Sequence, residues 1–227
     1  MLITSGTDTY GRVKKISGTP IVTKFAMLQA LPVFPLVSYY FIGLGPTQLS
    51  GFPLLGGSEY TPIIGIPLKS VDKTSVLMAY ARALFALLTV IGVFSLFPII
   101  QYFNEGQLDG FALRAARLLF LSFSVGVVGG GLSYVVPLTS RRERDIRRFC
   151  AEGLGVSADP ARVSSDVALK LLESVGDDLW WSDDPRKKLI RHVIESRVEI
   201  SHASVVEDWE AKTDELLDFL RQLERTQ

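Results

Sequence analysis

A cluster of aspartates around two tryptophans is the first feature of this chain that could bind a ligand. It reads DDLWWSDD at residues 177–184. Carboxylates at this density suit a divalent cation, but the order of ligands and the central glycine of an EF-hand loop are missing. Because Pro185 is typical of a first helical turn, we favour N-capping by Asp183 or Asp184. Trp180 and Trp181 are then expected to pack in a helical bundle.

The two histidines and the single cysteine do not form the pattern of a metal site or an activated nucleophile. His192 and His202 are ten residues apart and lack the HExxH spacing of a helical zinc site. Cys150 has no histidine near it in sequence, so a small buried side chain is the better interpretation. We therefore predict no catalytic residue, no cofactor and no metal site, and we do not expect an enzyme.

A glycine-rich stretch, GLGPTQLSGFPLLGGSEY at residues 43–60, resembles a phosphate-binding loop in composition only. It lacks the G-x-x-x-x-G-K-[ST] spacing, and no helical pattern follows it. The composition favours a flexible loop instead.

The basic run RRERDIRR predicts contact with a negatively charged surface. Its arginines are Arg141, Arg142, Arg144, Arg147 and Arg148. Placed directly after an apolar segment, they suit anionic lipid head groups, at about 1 kcal/mol each. Nucleic acid is the less favoured partner, because the chain has zero formal net charge and no recognition motif.

Two long apolar segments must position these groups. Residues 84–103 and 118–138 each contain about 20 residues without a charge, the length that a helix needs to cross the hydrocarbon core. A short turn joins them, so we predict a transmembrane helical hairpin. Ser122, Gly126 and Gly130 recur every four residues in the second span and form a small-residue packing face. That face either packs the two spans together, which we favour, or makes a contact between two copies.

Residues 25–44 are a third candidate span, but three features favour strands. Pro32 and Pro35 interrupt a helix, and the second half is rich in Val, Phe, Tyr and Ile. With two spans, the basic residues before and after the hairpin lie on one side, as the positive-inside rule requires. Both termini are then cytoplasmic. Arg114 and Arg117, at the start of the second span, fit only if they extend to the interface.

The flanking regions predict an α+β protein. Residues 1–9 are expected to be loosely held, and residues 10–76 form a β-rich module beside the membrane. Residues 141–227 are expected to form a cytoplasmic helical domain. Its amphipathic stripes are Val163, Val167, Leu171 and Val175, then Val206, Trp209, Thr213, Leu216, Leu217, Leu220 and Leu223.

Several runs resemble a family of uncharacterised small bacterial membrane proteins of planctomycete type. They are GTPIVTKFAMLQALPVFPLVSYY, GIPL, SVLMAYARA and RDIRRFCAEGLGVSADPARV. The resemblance implies a bacterial inner membrane and carries over no catalytic residue. Two function classes remain open. One is a membrane-anchored structural or protein-interaction module, alone or as a homo-oligomer, and the other is an accessory subunit of a membrane transport or enzyme complex.

Overall fold

The computed structural model describes residues 5–28, 31–46, 48–50, 58–60, 62–104, 110–135, 138–203 and 205–226. Parts of five predicted features lie outside these ranges: the N-terminus, the third candidate span, the glycine-rich loop, the turn between the apolar segments, and the end of the second span. The strands are β1 (Ser5–Ile16), β2 (Thr19–Leu28), β3 (Leu31–Leu44), β4 (Gln48–Ser50), β5 (Ser58–Tyr60) and β6 (Ile63–Pro67). The helices are α1 (Lys73–Asn104), α2 (Gly110–Val135), α3 (Arg141–Leu154), α4 (Ser165–Glu173), α5 (Asp177–Trp180), α6 (Pro185–His202) and α7 (Glu207–Thr226).

The main sheet is curled, antiparallel and ordered β1-β2-β3-β6. Strands β1 and β2 are joined by Ser17 and Gly18, whose φ angles of +46° and +84° suit the type I′ turn of a tight hairpin. Strand β3 accommodates Pro32 and Pro35 because register shifts against β2 fall next to both prolines. Strands β4 and β5 form a separate two-stranded sheet within the stretch expected to be a loop.

Residues 25–44 are extended throughout their described part, which confirms the strand prediction and excludes a third helical span there. Phe25 lies in β2, and Leu31–Leu44 is β3. The expectation of a loose N-terminus was wrong for residues 5–9, because they pair with β2 from Ser5 onward. Polar residues there continue the ladder of backbone hydrogen bonds, so hydrophobic content alone did not reveal the strand.

Helices α1 and α2 pack side by side, and both are long and apolar enough to cross a membrane. Only 17% of the apolar window of α1 and 11% of that of α2 are buried, whereas a core helix of a soluble protein is mostly buried. The charge-free part of α1, residues 83–104, spans about 33 Å at 1.5 Å per residue, which matches a hydrocarbon core of about 30 Å. Compared with the predicted spans, α1 starts earlier, at Lys73, and α2 is described as far as Val135.

The helices of the tail pack around an apolar core contributed by α3, α6 and α7. Ile146, Phe149, Ile194, Leu217 and Leu220 are buried there. In the last stripe, Thr213, Leu217 and Leu220 are buried, whereas Val206 is exposed. The amphipathic pattern therefore located the buried face of α7, but it extended that face too far toward the N-terminus.

A second core joins the sheet to the tail. Buried residues of β1, β2 and β3 (Val13, Ile21 and Tyr40) pack in one cluster with Val163 and Val198 of the tail. Leu68, after β6, also forms an antiparallel bridge with Val163. The segment before α1 and the segment after α2 therefore fold against each other.

Candidate functional site

Four charged side chains form a mostly buried charge cluster where the sheet, the start of α1 and the tail meet. The cluster consists of Lys14, Asp72, Glu143 and Arg162. Lys14 Nζ lies 3.1 Å from Asp72 Oδ2 and 3.1 Å from Glu143 Oε2. The guanidinium of Arg162 lies 2.6 Å from Asp72 Oδ2 and 2.8 Å from Glu143 Oε1. Each cation thus contacts both carboxylates, and the formal charges cancel.

Local structure brings each member of the cluster to this point. Lys14 lies at an irregularity of β1, where its φ is +52°. Asp72 precedes α1 and caps it, because its Oδ1 accepts a hydrogen bond from the Ser75 N–H at 2.8 Å. Glu143 is in the first turn of α3, and Arg162 ends a short 3₁₀ turn, Pro160–Arg162.

The cluster holds Asp72 in its charged form. Burial, with only 3% of its side chain exposed, opposes ionisation. Hydrogen bonds from Arg162 and the Ser75 N–H, together with the charges of Lys14 and Arg162, outweigh burial and lower the pKa of Asp72 below its ordinary value. A carboxylate so fully paired is a poor general base, so the geometry supports a structural role for the cluster.

Asp72→Asn is therefore expected to destabilise the protein at neutral pH and to reduce its sensitivity to acid. A group with a depressed pKa stabilises the folded state above its unfolded pKa of about 3.9, and that stabilisation is lost as the pH falls through the folded pKa. We expect a loss of about 3 kcal/mol at pH 7. Thermal unfolding in detergent between pH 2 and pH 7 measures both effects. Asp166→Asn, at an exposed carboxylate without an ion pair to the described residues, is the control. An equal loss of stability on acidification in wild type and in Asp72→Asn would contradict the prediction.

A chain of buried hydroxyls continues from the cluster into the sheet. Asp72 N–H donates to Ser38 Oγ at 2.9 Å, and Ser38 Oγ lies 2.7 Å from Thr23 Oγ1. Thr23 Oγ1 donates to Ser75 Oγ at 2.9 Å, which in turn donates to the Gly11 carbonyl at 2.7 Å. Because every hydroxyl in this chain is satisfied, it fixes the first turn of α1 against β1, β2 and β3.

Arg147 lies beside the cluster and is fully buried. Its guanidinium donates to the Ser157 carbonyl at 3.0 Å, to the Lys14 carbonyl at 2.7 Å and to the Thr19 carbonyl, and it lies 4.9 Å from the ring centroid of Tyr40. Burial lowers the pKa of Arg147, but an arginine remains charged in proteins. The side chain therefore joins α3 to both ends of the β1–β2 turn.

The prediction of a membrane-facing basic run thus needs correction at Arg147, which lies in the interior. Arg142 is bonded to Glu210 and Asp214 of α7, and Arg148 is bonded to Glu224 at 2.6 Å. Of the five arginines, Arg141 and Arg144 are exposed and make no ion pair with a described residue. Because the arginines project from different sides of α3, one basic run contains buried, ion-paired and exposed side chains.

Two of the predicted small residues lie at the contact between α1 and α2. A Cβ on Gly126 would lie 2.7 Å from the backbone nitrogen of Thr89, and one on Gly130 would touch Phe85 at 3.8 Å. Ser122 instead bonds within its own helix, to the Leu118 carbonyl at 3.0 Å. Gly92 of α1 approaches α2 in the same way, because its Cβ would lie 2.5 Å from Phe123 Cβ. The contact lies within one chain.

Gly126→Ala is expected to weaken the α1–α2 packing by about 1–3 kcal/mol, because overpacking forces the backbones apart. Gly131→Ala is the matched control, since a Cβ there meets nothing within 4 Å. Alanine in place of glycine adds up to about 1 kcal/mol of helix propensity, so the control should be neutral or stabilising. Thermal unfolding in detergent compares the two, and equal stability would argue against this contact.

The other sequence candidates lie apart from one another. Asp184 caps α6 by accepting the Arg186 N–H at 2.9 Å, as predicted. Cys150 is fully buried, as predicted, and burial raises the pKa of its thiol. The packing prediction was wrong for Trp181, which is 83% exposed. His192 and His202 are exposed, and the described residues contain no group of three metal-binding side chains.

Among the residues that the structure describes, two surface grooves stand out. The arginine groove has a volume of about 600 Å³ and lies between β1, Leu31 and one face of α1, with Arg12, Arg82 and Tyr134 at its polar end. The acidic groove, of about 480 Å³, is lined by the apolar side chains Leu169, Leu172, Val198 and Trp209, with Glu195, Glu199 and His202 around them.

Sequence reasoning missed the buried charge cluster, although two local signals pointed to part of it. Ser140 and Glu143 have the S-x-x-E spacing of a helix start, and the Glu143 N–H donates to Ser140 Oγ at 3.1 Å. Asp72 similarly precedes the first turn of α1. Neither signal reveals the partners Lys14 and Arg162, which are distant in sequence. Comparisons with known protein families, curated proteins and solved structures gave no match.

Proposed function

We propose that this protein is a membrane-anchored protein-interaction module. In this proposal, α1 and α2 cross a bacterial inner membrane, and the sheet and the helical tail form one body on its cytoplasmic face. Strand β1 and helix α7 both belong to that body. The observation that carries the proposal is the core shared by residues on either side of the hairpin.

The shared core supports a single-sided arrangement because two segments can pack together only in the same compartment. Tyr40 of β3 and Val163 of the tail belong to one cluster, and Arg162 pairs with Asp72 across a separation of 90 residues. The ends of the helices meet as well, since Arg82 donates to the Ser133 carbonyl at 2.9 Å. An even number of spans between the sheet and the tail satisfies all these contacts.

Exposed apolar side chains extend the anchoring surface from α1 to the sheet. The tip of the β2–β3 hairpin exposes Leu28, Leu31, Phe34 and Leu36. Tyr80 of α1 holds this hairpin by donating to the Val33 carbonyl at 2.8 Å. An exposed apolar surface continuous with an apolar helix favours insertion into the interfacial layer of the bilayer.

The distribution of basic residues favours the cytoplasmic side for the body. Exposed basic residues occur both up to the first residue of α1 and after α2: Lys15, Lys69, Lys73, Arg141 and Arg144. The connecting turn carries Glu105 and Asp109. Under the positive-inside rule, this pattern supports a turn on the outside and a body on the inside.

The acidic groove supports interaction with another protein. Its floor contains Trp209, an aromatic side chain of the type that dominates binding energy in interfaces. Glu195 and Glu199 line it, so a partner segment with an apolar anchor and neighbouring basic residues is the complementary ligand. This groove lies on the tail, away from α1 and α2.

Single-cysteine labelling tests the arrangement across the membrane. Ser17→Cys, Gly110→Cys and Thr226→Cys place thiols in the β1–β2 turn, at the start of α2 and at the end of α7, all at exposed positions. In intact spheroplasts, an impermeant maleimide should label only Gly110→Cys. In inverted membrane vesicles it should label the other two. The wild type, with Cys150 buried, is the unlabelled control.

Two results would overturn the proposal. One is labelling of Ser17→Cys and Thr226→Cys from opposite sides, and the other is release of the chain from membranes by an alkaline wash. Purification in mild detergent with mass determination then separates the two function classes. A lone chain or homo-oligomer that captures partners transiently supports the module, whereas stable co-purification with a transporter or enzyme supports an accessory subunit.

A further inference from the structure

The arginine groove combines a cationic end with an apolar floor at the boundary of the charge-free part of α1. Its floor consists of Ala83, Ala86, Leu87 and Val90. These positions have the i, i+3, i+4, i+7 spacing of one helix face, so the floor runs along α1 from Arg82 into the charge-free segment. Leu31 flanks the floor.

The two arginines at the groove have no carboxylate partner among the described residues. The guanidinium of Arg12 lies 5.1 Å from the ring centroid of Phe41, and that of Arg82 lies 4.1 Å from the ring centroid of Tyr134. Arg82 also donates to the Arg12 carbonyl at 3.1 Å and to Ser133. A guanidinium has five N–H groups, so Arg82 retains donors for a further acceptor.

We propose that the arginine groove binds one anionic phospholipid. Its phosphate lies against Arg12 and Arg82, and one acyl chain lies along Ala83, Ala86 and Val90. Arginine pairs with phosphate through parallel N–H···O bonds, which supplies the polar half of the recognition. The apolar floor supplies the other half, and a free phosphate ion could not use it. This inference rests on the proposed function, because it requires α1 to lie in a bilayer.

Native mass spectrometry of the full chain in detergent tests the proposal. The protein is titrated with phosphatidylglycerol or with phosphatidylcholine of identical acyl chains, and glycerol phosphate serves as the headgroup alone. We expect one phosphatidylglycerol to bind about 30-fold more tightly than phosphatidylcholine, since each arginine near an anionic surface contributes about a factor of five. Glycerol phosphate should not displace the lipid.

Two kinds of variant test the charge of the two arginines and the apolar floor of the groove separately. The double variant Arg12→Gln, Arg82→Gln should lose the preference for phosphatidylglycerol, with Arg144→Gln as the control at an exposed arginine outside the groove. Ala86→Trp should block the floor and reduce binding of phosphatidylglycerol at least about tenfold. Leu84→Trp, at an exposed position of α1 off the face that forms the groove floor, is its control.

Equal affinity for the two lipids, or unchanged binding in both test variants, would overturn the proposal. If the double variant does not fold, Ala86→Trp against Leu84→Trp decides the matter without a change of charge. Displacement by glycerol phosphate would also overturn it in favour of a phosphate site. A chain that passes the cysteine-labelling test and fails here contradicts only this inference, whereas a chain released from membranes contradicts the proposed function itself.

Discussion

Replacing Arg147 with alanine is expected to lower the free energy of unfolding by about 3–5 kcal/mol, among the largest effects of any single substitution. The change leaves the carbonyls of Lys14, Ser157 and Thr19 buried without their donor, and each unsatisfied group costs about 1–3 kcal/mol. It also removes a side chain packed on the Tyr40 ring. The loss should therefore separate the sheet from α3.

Arg144→Ala is the matched control, because Arg144 lies one turn earlier on the same helix and is exposed. It should change stability by no more than about 0.5 kcal/mol. Arg147→Lys should give an intermediate loss, since a lysine keeps the charge but lacks the planar set of donors. Thermal unfolding in detergent, followed by the fluorescence of the three tryptophans, measures all three. At about 2–4 °C per kcal/mol, the alanine variant should unfold about 10 °C earlier than wild type. A shift equal to that of Arg144→Ala would contradict the role given to Arg147.

Gly11→Ala is expected to have an effect of similar size, about 3–5 kcal/mol, for a steric reason. Gly11 has φ +71°, and a Cβ there would lie 2.1 Å from the backbone oxygen of Ser75. The substitution would push the first turn of α1 away from β1 and break the hydrogen bond from Ser75 Oγ to the Gly11 carbonyl. The hydroxyl chain that fixes α1 to the sheet would then lose its last acceptor.

Gly18→Ala is the control, because it shows how much stability is lost to backbone strain without a steric clash. Gly18 has φ +84°, but a Cβ there meets nothing within 4 Å. The control should cost only the left-handed conformation of alanine, about 1–2 kcal/mol. The difference between the two variants in the same unfolding assay measures the contact between β1 and Ser75. Equal losses would show that this close approach contributes nothing.

Local sequence patterns predicted the elements well where one physical preference dominated. The enrichment in Val, Phe, Tyr and Ile identified β3, and the prolines argued against a helix through residues 25–44. Asp184 was recognisable because capping depends on neighbouring residues only. Residues 5–9 escaped notice because their strand is fixed by pairing with β2, and polar side chains carry no sign of that pairing.

The candidate site was largely beyond such reasoning, because its contacts join distant segments. Arg144 and Arg147 occur in one basic run and lie one turn apart on α3, so helical periodicity alone does not separate the exposed charge from the buried one. The spacing of Ile146, Cys150 and Leu154 does mark the buried face of α3, and Arg147 adjoins it. Arg147 donates there to the carbonyls of Lys14 and Thr19, and these hydrogen bonds depend on the packing of the sheet on the tail.

A disulfide between the two segments tests whether the sheet packs on the tail. Leu68 and Val163 oppose each other in an antiparallel bridge, within the Cα separation that a disulfide accepts. The pair Leu68→Cys, Val163→Cys is oxidised in native membranes, and the chain is then cut at a protease site inserted between α1 and α2. Most of the two halves should stay joined until they are reduced, whereas Leu68→Cys with Trp181→Cys should give separate halves. Separation of the halves in the first pair would show that the sheet does not pack on the tail.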